Sequence, residues 1–357
     1  MKNKLLMLAI ACFAILQSCK RGDKVSFTPP KQDTSDVNTD VGVSSFSNPV
    51  ISTAKKPSDP EIFKGGNLFY LVHPNNNTYK IYSSPDLITW TAKPVCFTKS
   101  KGDFWSAGSF KYNGTYNLYY THVLGSNNRT IGVATSSTPE GPYTDANATL
   151  IVKKDAQNNF IPVIDPSVFK DPVSEKVYLY YAKYVGTGTS PELRCVELSS
   201  DGLSTIAGTD KKVLSITQAW ENVNIEHPLV YYAPNADANH RYYMLYNGSG
   251  GALARYAIGY AYSSSPDGPF TKAPEGTATG SNPLVQQNQP RGIYGPGAPN
   301  TVVDNAGKRW MIYRIKTTSG ESWSDRAICV DEILKNGSDQ LICNPTKGVS
   351  QSKPIFN

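Results

Sequence analysis

Asp59-Pro60-Glu61-Ile62-Phe63, a Gly65-Gly66 turn, Leu68-Phe69-Tyr70-Leu71, Tyr79-Lys80-Ile81-Tyr82-Ser83-Ser84 and Leu87-Ile88-Thr89-Trp90 follow one another in one stretch. Short runs of Tyr, Val, Ile and Phe broken by Gly, Asn and Pro are strands joined by tight turns. The scheme then repeats. Phe110-Lys111-Tyr112, an Asn113-Gly114 turn, Tyr116-Asn117-Leu118-Tyr119-Tyr120, Ile131-Gly132-Val133-Ala134-Thr135 and Gly141-Pro142-Tyr143 form a second unit. Further units open at Asp165-Pro166-Ser167-Val168-Phe169, Glu226-His227-Pro228-Leu229-Val230 and Ala298-Pro299-Asn300-Thr301-Val302. Aligning the Gly66 and Gly114 turns places the second opening at Ala107, so the openings are 48, 58, 61 and 72 residues apart.

Each interval holds four short strands, and no long segment carries a helical period. A four-stranded unit repeated at this spacing is the signature of a propeller, in which radial packing protects sheet edges that a lone meander would expose. The expected fold is therefore all-β: a five-bladed β-propeller of four-stranded antiparallel blades over residues 49–357. In a propeller the opening strand of each blade lies innermost, so equivalent strand starts ring one mouth of the axis. That ring is read as Asp59, Ala107, Asp165, Glu226 and Ala298. A single Asp-Pro is most simply a turn starter. Three acids at one repeat position, in otherwise apolar strand starts, instead converge on one pocket. Two carboxyl groups with separated pKa values can cleave an acetal between sugars. One delivers a proton to the leaving oxygen and the other activates a water on the opposite face; a third adds like charge that keeps the acid protonated.

The stretch from about 50 to 345 resembles glycoside hydrolase family 43. The resemblance is carried by these acids, by Tyr82-Ser83-Ser84-Pro85-Asp86-Leu87-Ile88-Thr89-Trp90, and by Trp105-Ser106-Ala107 followed by Tyr112-Asn113-Gly114-Thr115-Tyr116. It extends to Gly295-Pro296-Gly297 before Asn305-Ala306-Gly307-Lys308-Arg309-Trp310. It implies an inverting glycosidase of the arabinofuranosidase or xylosidase type, acting on plant-type saccharides that contain arabinose, xylose or galactose. By the same resemblance Asp59 is the general base, Asp165 the pKa modulator and orienter, and Glu226 the general acid. Arg326 falls where the family carries an arginine that contacts the sugar. The chain departs from the family in two places. Ala298 stands where a histidine commonly holds an axial ion through water, so axial calcium is in doubt and no cofactor or metal is expected to be required. Gly108 stands where an acid is often found, which alters substrate contacts there.

Trp105, Phe104, Tyr294 and Trp323 lie near blade loops and could stack on sugar rings; except for Trp105, filling gaps between blades is the preferred reading. His227, beside Glu226, is placed at the substrate, whereas His73, His122 and His240 are assigned to packing or hydrogen bonding. Asn247-Gly248-Ser249-Gly250-Gly251 lacks the Gly-x-Ser-x-Gly elbow of serine hydrolases and reads as a flexible loop. Cys96, Cys195, Cys329 and Cys343 show no metal or redox spacing. Cys329 and Cys343 flank an expected Asn336-Gly337 hairpin turn and are candidates for a bridge.

At the N-terminus, Lys2 and Lys4 precede an apolar run from Leu5 to Leu16, too short to span a bilayer, that reads as an export signal over residues 1–18. Leu16-Gln17-Ser18-Cys19 resembles the bacterial lipobox, which makes Cys19 the lipidated residue and residues 19–48 a flexible tether. An ordinary cleaved leader with an incidental cysteine is the alternative. The chain is then an exported outer-membrane lipoprotein, on the periplasmic or surface face, that meets the membrane only through its anchor. Without the leader it carries 33 basic and 29 acidic residues, spread along the chain. That distribution lacks the basic stripe of a nucleic-acid binder, so the expected partner is an oligo- or polysaccharide and the expected state a monomer. Two further readings stay open. One is a retaining fructan-type hydrolase, whose Asn-Asp-Pro-Asn-Gly, Arg-Asp-Pro and Glu-Cys signatures are absent here. The other is a non-catalytic carbohydrate-binding propeller, which has no need of three charges around one pocket.

Overall fold

The computed structural model describes residues 45–53, 57–184 and 191–356. The expected leader, Cys19 and most of the tether lie outside these residues. Five separate antiparallel sheets follow in chain order. The first comprises Glu61–Gly65, Leu68–Asn75, Thr78–Ser84 and Thr91–Ala92, and the second Asp103–Tyr112, Thr115–Val123, Arg129–Ser136 and Thr144–Ile151. Val163–Lys170, Val177–Tyr184, Pro191–Leu198 and Lys211–Leu214 form the third; Ile225–Tyr232, Tyr242–Gly248, Ala257–Ser263 and Thr271–Lys272 the fourth. The fifth is Tyr294–Val303, Arg309–Lys316, Arg326–Lys335 and Leu341–Cys343. The first blade carries one extra piece, Phe97–Thr98, paired to Thr78-Tyr79 of its third strand. The fold is the five-bladed propeller expected from the repeat.

Each blade is apolar on both faces because it is sandwiched between two neighbours, and five buried clusters join the blades pairwise. Tyr70, Val72 and Ile81 meet Leu118 and Tyr120 between blades one and two. Ile62, Phe69 and Leu71 meet Trp310, Ile312 and Val330 between blades one and five, which closes the ring. Tyrosine rather than phenylalanine fills many of these gaps, since its hydroxyl reaches a carbonyl on the adjoining element. Tyr119 donates to Gly202 O at 2.8 Å, and Tyr243 to Asp339 O at 2.6 Å. The seam between blades one and five is clasped by the chain ends. Ser45–Ser47 pair antiparallel with Ser350–Ser352, and the Asn48 amide bonds Val330 O, Asp331 and Thr346. The folded body thus takes in Ser45–Asn48, which the sequence reading left in the tether.

Two local expectations change. The last hairpin turns through Asn336–Gln340 rather than about Asn336-Gly337 alone, with Asn336 Oδ1 capping the amides of Ser338 and Gln340. Cys343 therefore faces Ile333, not Cys329, and both cysteines are free and buried in the apolar cluster between blades four and five. Asn247 and Gly248 are no loop: they end a buried strand, and Ser249 after them is buried too. Glycine is required at 248 by packing, since a Cβ there would meet the Trp220 ring at 2.4 Å.

Candidate active site

The inner strands of blades two to five share a bulge that aims the site. Their register slips by one between Phe104 and Ala107, Ile164 and Ser167, Glu226 and Leu229, and Gly297 and Asn300. Within it Asp165, His227 and Ala298 take positive φ (59, 51 and 50°), and Asp59 does likewise at 27°; each precedes a proline. A left-handed residue at a bulge turns its side chain off the sheet face, and the following proline removes a donor that the interrupted ladder cannot use. The equivalent positions are thus Asp59, Trp105, Asp165, His227 and Ala298. This corrects the sequence alignment in two blades. Ala107 lies two residues past the position, because the second hairpin is longer than the first and counting from its turn drifts; Glu226 lies one residue before it.

All three acids nevertheless line one open cavity of about 640 Å³ at the mouth of the axis, with Trp105, His227, Arg314 and Arg326. Asp59 is gripped from two sides. Arg314 Nε donates to its Oδ1 at 2.8 Å and Arg326 Nη1 to its Oδ2 at 3.0 Å; Ser58 Oγ adds a bond at 2.9 Å. Both arginines are buried and held in turn by carbonyls, Arg314 by Gly295 and Gly251 and Arg326 by Gly251. Burial raises the Asp59 pKa, but the Arg326 and Arg314 guanidiniums outweigh it and hold the carboxyl well below the usual carboxylate range.

Asp165 and Glu226 are tuned the other way. Burial, with the Asp59 charge behind it, pushes Asp165 up to about 7 against the opposing bond from Ser106 Oγ. The Asp165 amide is bonded by Thr121 Oγ1 at 3.0 Å, and its Oδ2 accepts the His227 amide at 3.2 Å. Burial and then the Asp165 charge raise Glu226, whose Oε1 accepts from Tyr256 OH at 2.6 Å. One carboxylate oxygen from each of Asp165 and Glu226 and one ring nitrogen of His227 lie within 4.8 Å of one another. His227 Nε2 stands 3.5 Å from Asp165 and 3.8 Å from Asp59. Burial lowers the His227 pKa despite the nearby Asp59 and Glu226, which favours the neutral ring.

Trp105 and Trp323 line the cavity, 37% and 65% exposed, so Trp323 is a rim residue rather than a filler between blades. Phe104 is buried among the apolar residues of blades one and two, as expected. Tyr294 pairs with Lys316 at the start of blade five and does not line the cavity. Arg326 is committed to Asp59 and Ser58, and its buried Nε alone lacks a protein partner. Sequence reasoning missed Arg314 and Tyr256. The signal for Arg314 was a lone arginine inside the apolar run Trp310-Met311-Ile312-Tyr313. Gly108 is explained by contact: a Cβ there would meet Pro166 O of the adjacent inner strand at 2.5 Å.

Below the acids the axis narrows to a space of about 20 Å³, lined by Glu61, Ala107, Ser167, Leu229, Ala298 and Asn300 among others, which suits one water and little more. An axial ion fits these groups poorly. Ala298 offers no side-chain ligand atom, Asn300 turns its Oδ1 to the Ile62 amide at 3.5 Å while its Nδ2 donates to Pro60 O at 2.7 Å, and Ser109 occupies a Glu61 oxygen. Burial pushes the Glu61 carboxyl up to about 8, a proton-bearing state that disfavours a cation.

A buried site that holds one carboxyl's pKa down and pushes another's up is the equipment of an acid–base hydrolase acting on acetals. Comparison with known proteins agrees. Residues 46–336 match the family Glycosyl hydrolases family 43. Beta-D-galactofuranosidase xynD of Aspergillus niger is 23% identical over 281 residues, covering 74% of this chain and 73% of that one. A thermostable family-43 glycoside hydrolase superposes with TM-score 0.74 at 25% identity, over 87% of this chain and all of the other. An endo-1,4-beta-xylanase of Bacteroides thetaiotaomicron gives TM-score 0.69 at 20% identity, over 87% and 100% of the two chains. For an alpha-L-arabinofuranosidase of Lactobacillus brevis the TM-score is 0.68 at 17% identity, over 87% and 98%. The chain belongs to glycosyl hydrolases family 43, a glycosidase family, and its substrate is a carbohydrate.

Proposed function

We propose that the protein hydrolyses arabinose-, xylose- or galactose-containing saccharides with inversion, using Asp59 as base and Glu226 as acid. The observation that carries this reading is the opposed environment of the two: Asp59 between two guanidiniums, Glu226 buried beside a second carboxyl. Asp59 orients a water on one face of the sugar. It accepts the water's proton as the oxocarbenium-like transition state makes that proton acidic. Glu226 gives its own proton to the leaving oxygen, so one water is consumed and each product carries a hydroxyl. Asp165 supplies the like charge that, behind burial, helps Glu226 retain its proton.

The galactofuranosidase, xylanase and arabinofuranosidase among the relatives support a pentose or furanose substrate. No step in this reading needs an axial ion. Glu226→Gln should abolish turnover on natural glycosides while sparing aryl glycosides with good leaving groups, and NMR should detect the inverted anomer first. Equal losses on both substrates, or a retained anomer, would overturn it. Residues 1–48, read as leader, Cys19 anchor and tether, would hold the enzyme at a membrane; a Cys19→Ala protein that stays in the membrane fraction would exclude that anchor.

A further inference from the structure

Ser106 lies in the inner strand of blade two, one residue past Trp105, where it lines both the catalytic cavity and the narrow axial space below it. It is buried, and its backbone is fixed from blade one. There the buried Tyr79 hydroxyl donates to Trp105 O and, at 3.3 Å, to Ser106 O. The Ser106 hydroxyl is thereby held against blade three, where it donates to Asp165 Oδ1.

Asp165 has few other supports for a negative charge. It is buried, and among the described residues no lysine or arginine bonds it. Arg314 acts on it only from its pairing with Asp59, and the Asp59 charge opposes its ionisation. The other titratable groups that face it are Glu226, the His227 ring at 3.5 Å, which burial holds towards its neutral form, and three tyrosines. These are Tyr79, Tyr184 and Tyr256, whose hydroxyl pKa values burial raises. The two carboxylate oxygens are instead met by two donors, Ser106 Oγ on Oδ1 and the His227 amide on Oδ2 at 3.2 Å. The amide comes with the backbone, whatever residue stands at 227. The hydroxyl depends on the residue at 106.

Donors on a buried carboxylate favour its ionised form, and a bond to a charged acceptor is about twice as strong as a neutral one. The ionised Asp165 in turn bears on Glu226, since an oxygen of each lies within 4.8 Å of the other. Tyr256 pulls the other way, because its hydroxyl favours the Glu226 anion. We propose that Ser106 is a positioning residue that keeps the Asp165 carboxylate charged and aimed at Glu226, so that the catalytic proton stays on Glu226 rather than on Asp165. This rests on the reading of Glu226 as the acid given above.

The test is the pH profile of kcat/KM on a glycoside whose leaving group needs a proton, with melting curves at each pH, for Ser106→Ala, Ser106→Cys and Ser106→Thr. Without the hydroxyl the Asp165 anion is disfavoured, Glu226 loses its like charge, and its proton leaves at lower pH. The basic limb of Ser106→Ala should therefore move down by about one unit. Threonine keeps the donor and should leave the limb in place, whereas cysteine, a weak donor, should fall between. On the shifted limb the loss should be smaller for an aryl glycoside with a good leaving group, which needs less help from the acid. A folded Ser106→Ala protein whose limb stays where it was, whatever its plateau, would overturn the role. So would shifts that follow side-chain size rather than donor strength. If Ser106→Ala does not fold, the contrast of cysteine with threonine decides alone. Equal losses for Glu226→Gln on both substrates would overturn the acid's assignment and this role with it, whereas an unmoved limb beside a substrate-dependent Glu226→Gln loss overturns this role only.

Discussion

Replacing Arg314 by methionine removes one of the two cations that hold Asp59 ionised. Arg314 Nε lies 2.8 Å from Oδ1 and is almost wholly buried, so its charge acts through protein rather than water. With charge centres about 4 Å apart and an effective dielectric constant near 20, such a contact amounts to about 4 kcal/mol, or about three pKa units, before relaxation. Water entering the gap and the remaining Arg326 reduce this to about one or two units. An anion that loses a cation binds its proton more tightly, so the active, ionised base disappears at a higher pH than before. The wild type should show no fall in kcat/KM from Asp59 at any pH where it stays folded. The variant's acid limb should move up by about that amount, towards the ordinary Asp value near 4. The assay is a pH profile on an aryl glycoside, with melting curves at each pH, because losing one partner of a buried pair destabilises by about 3–5 kcal/mol. The ion pair stabilises the fold above the ordinary Asp pKa near 4 and loses its effect as pH falls towards the depressed one. A folded variant whose acid limb stays where it was, with only a lower plateau, would refute the electrostatic role and leave Arg314 as a structural prop.

Three further outcomes follow from the same site. Tyr256→Phe removes the hydroxyl that favours the Glu226 anion. The basic limb of the pH profile should therefore move up by about one unit, and an unmoved limb would disconnect Tyr256 from the acid. Glu61→Gln replaces a carboxyl whose pKa is pushed up to about 8 by burial. Between the unfolded value near 4.3 and 8 the wild type loses stability as pH rises, so the variant's melting-temperature advantage should widen over that window and then level off. A constant difference would show that Glu61 titrates normally. Chelator should leave kcat/KM unchanged, and a loss restored by calcium would reveal an axial ion held through ligands other than residue 298.

The blades were legible because most turns are marked by Gly, Asn or Asp and four of the five inner strands by an X-Pro pair, signals that act within a few residues. Asp59 and Asp165 followed directly. Glu226 was found for a partly mistaken reason: a bulge adds one residue to the inner strand of blade four, and His227, not the acid, occupies the repeat position. The mis-set hairpin and the mistaken loop have the same origin, a turn composition taken for a turn location. Arg314 could not be placed, since its partner lies 255 residues away and the two meet only when blade five closes on blade one. Residue type marks such a side chain as unusual, but topology alone tells what it faces.

That seam has a consequence for when the enzyme becomes active during its synthesis. Asp59 leaves the ribosome early, while both of its guanidiniums arrive on the last blade, at Arg314 and Arg326. Until then the nucleus of the site is a carboxylate of ordinary acidity on an open arc. Joining the arc's ends spans about 300 residues, an entropic cost of about 5 kcal/mol in a flexible chain. The clasp of Ser45–Ser47 on Ser350–Ser352 helps offset that cost from the two tips. A nascent chain stopped short of the final blade therefore holds all three acids and Tyr256, yet lacks the field that commits Asp59 to its anion. The field that holds Asp59 ionised is thus completed only when the circle closes.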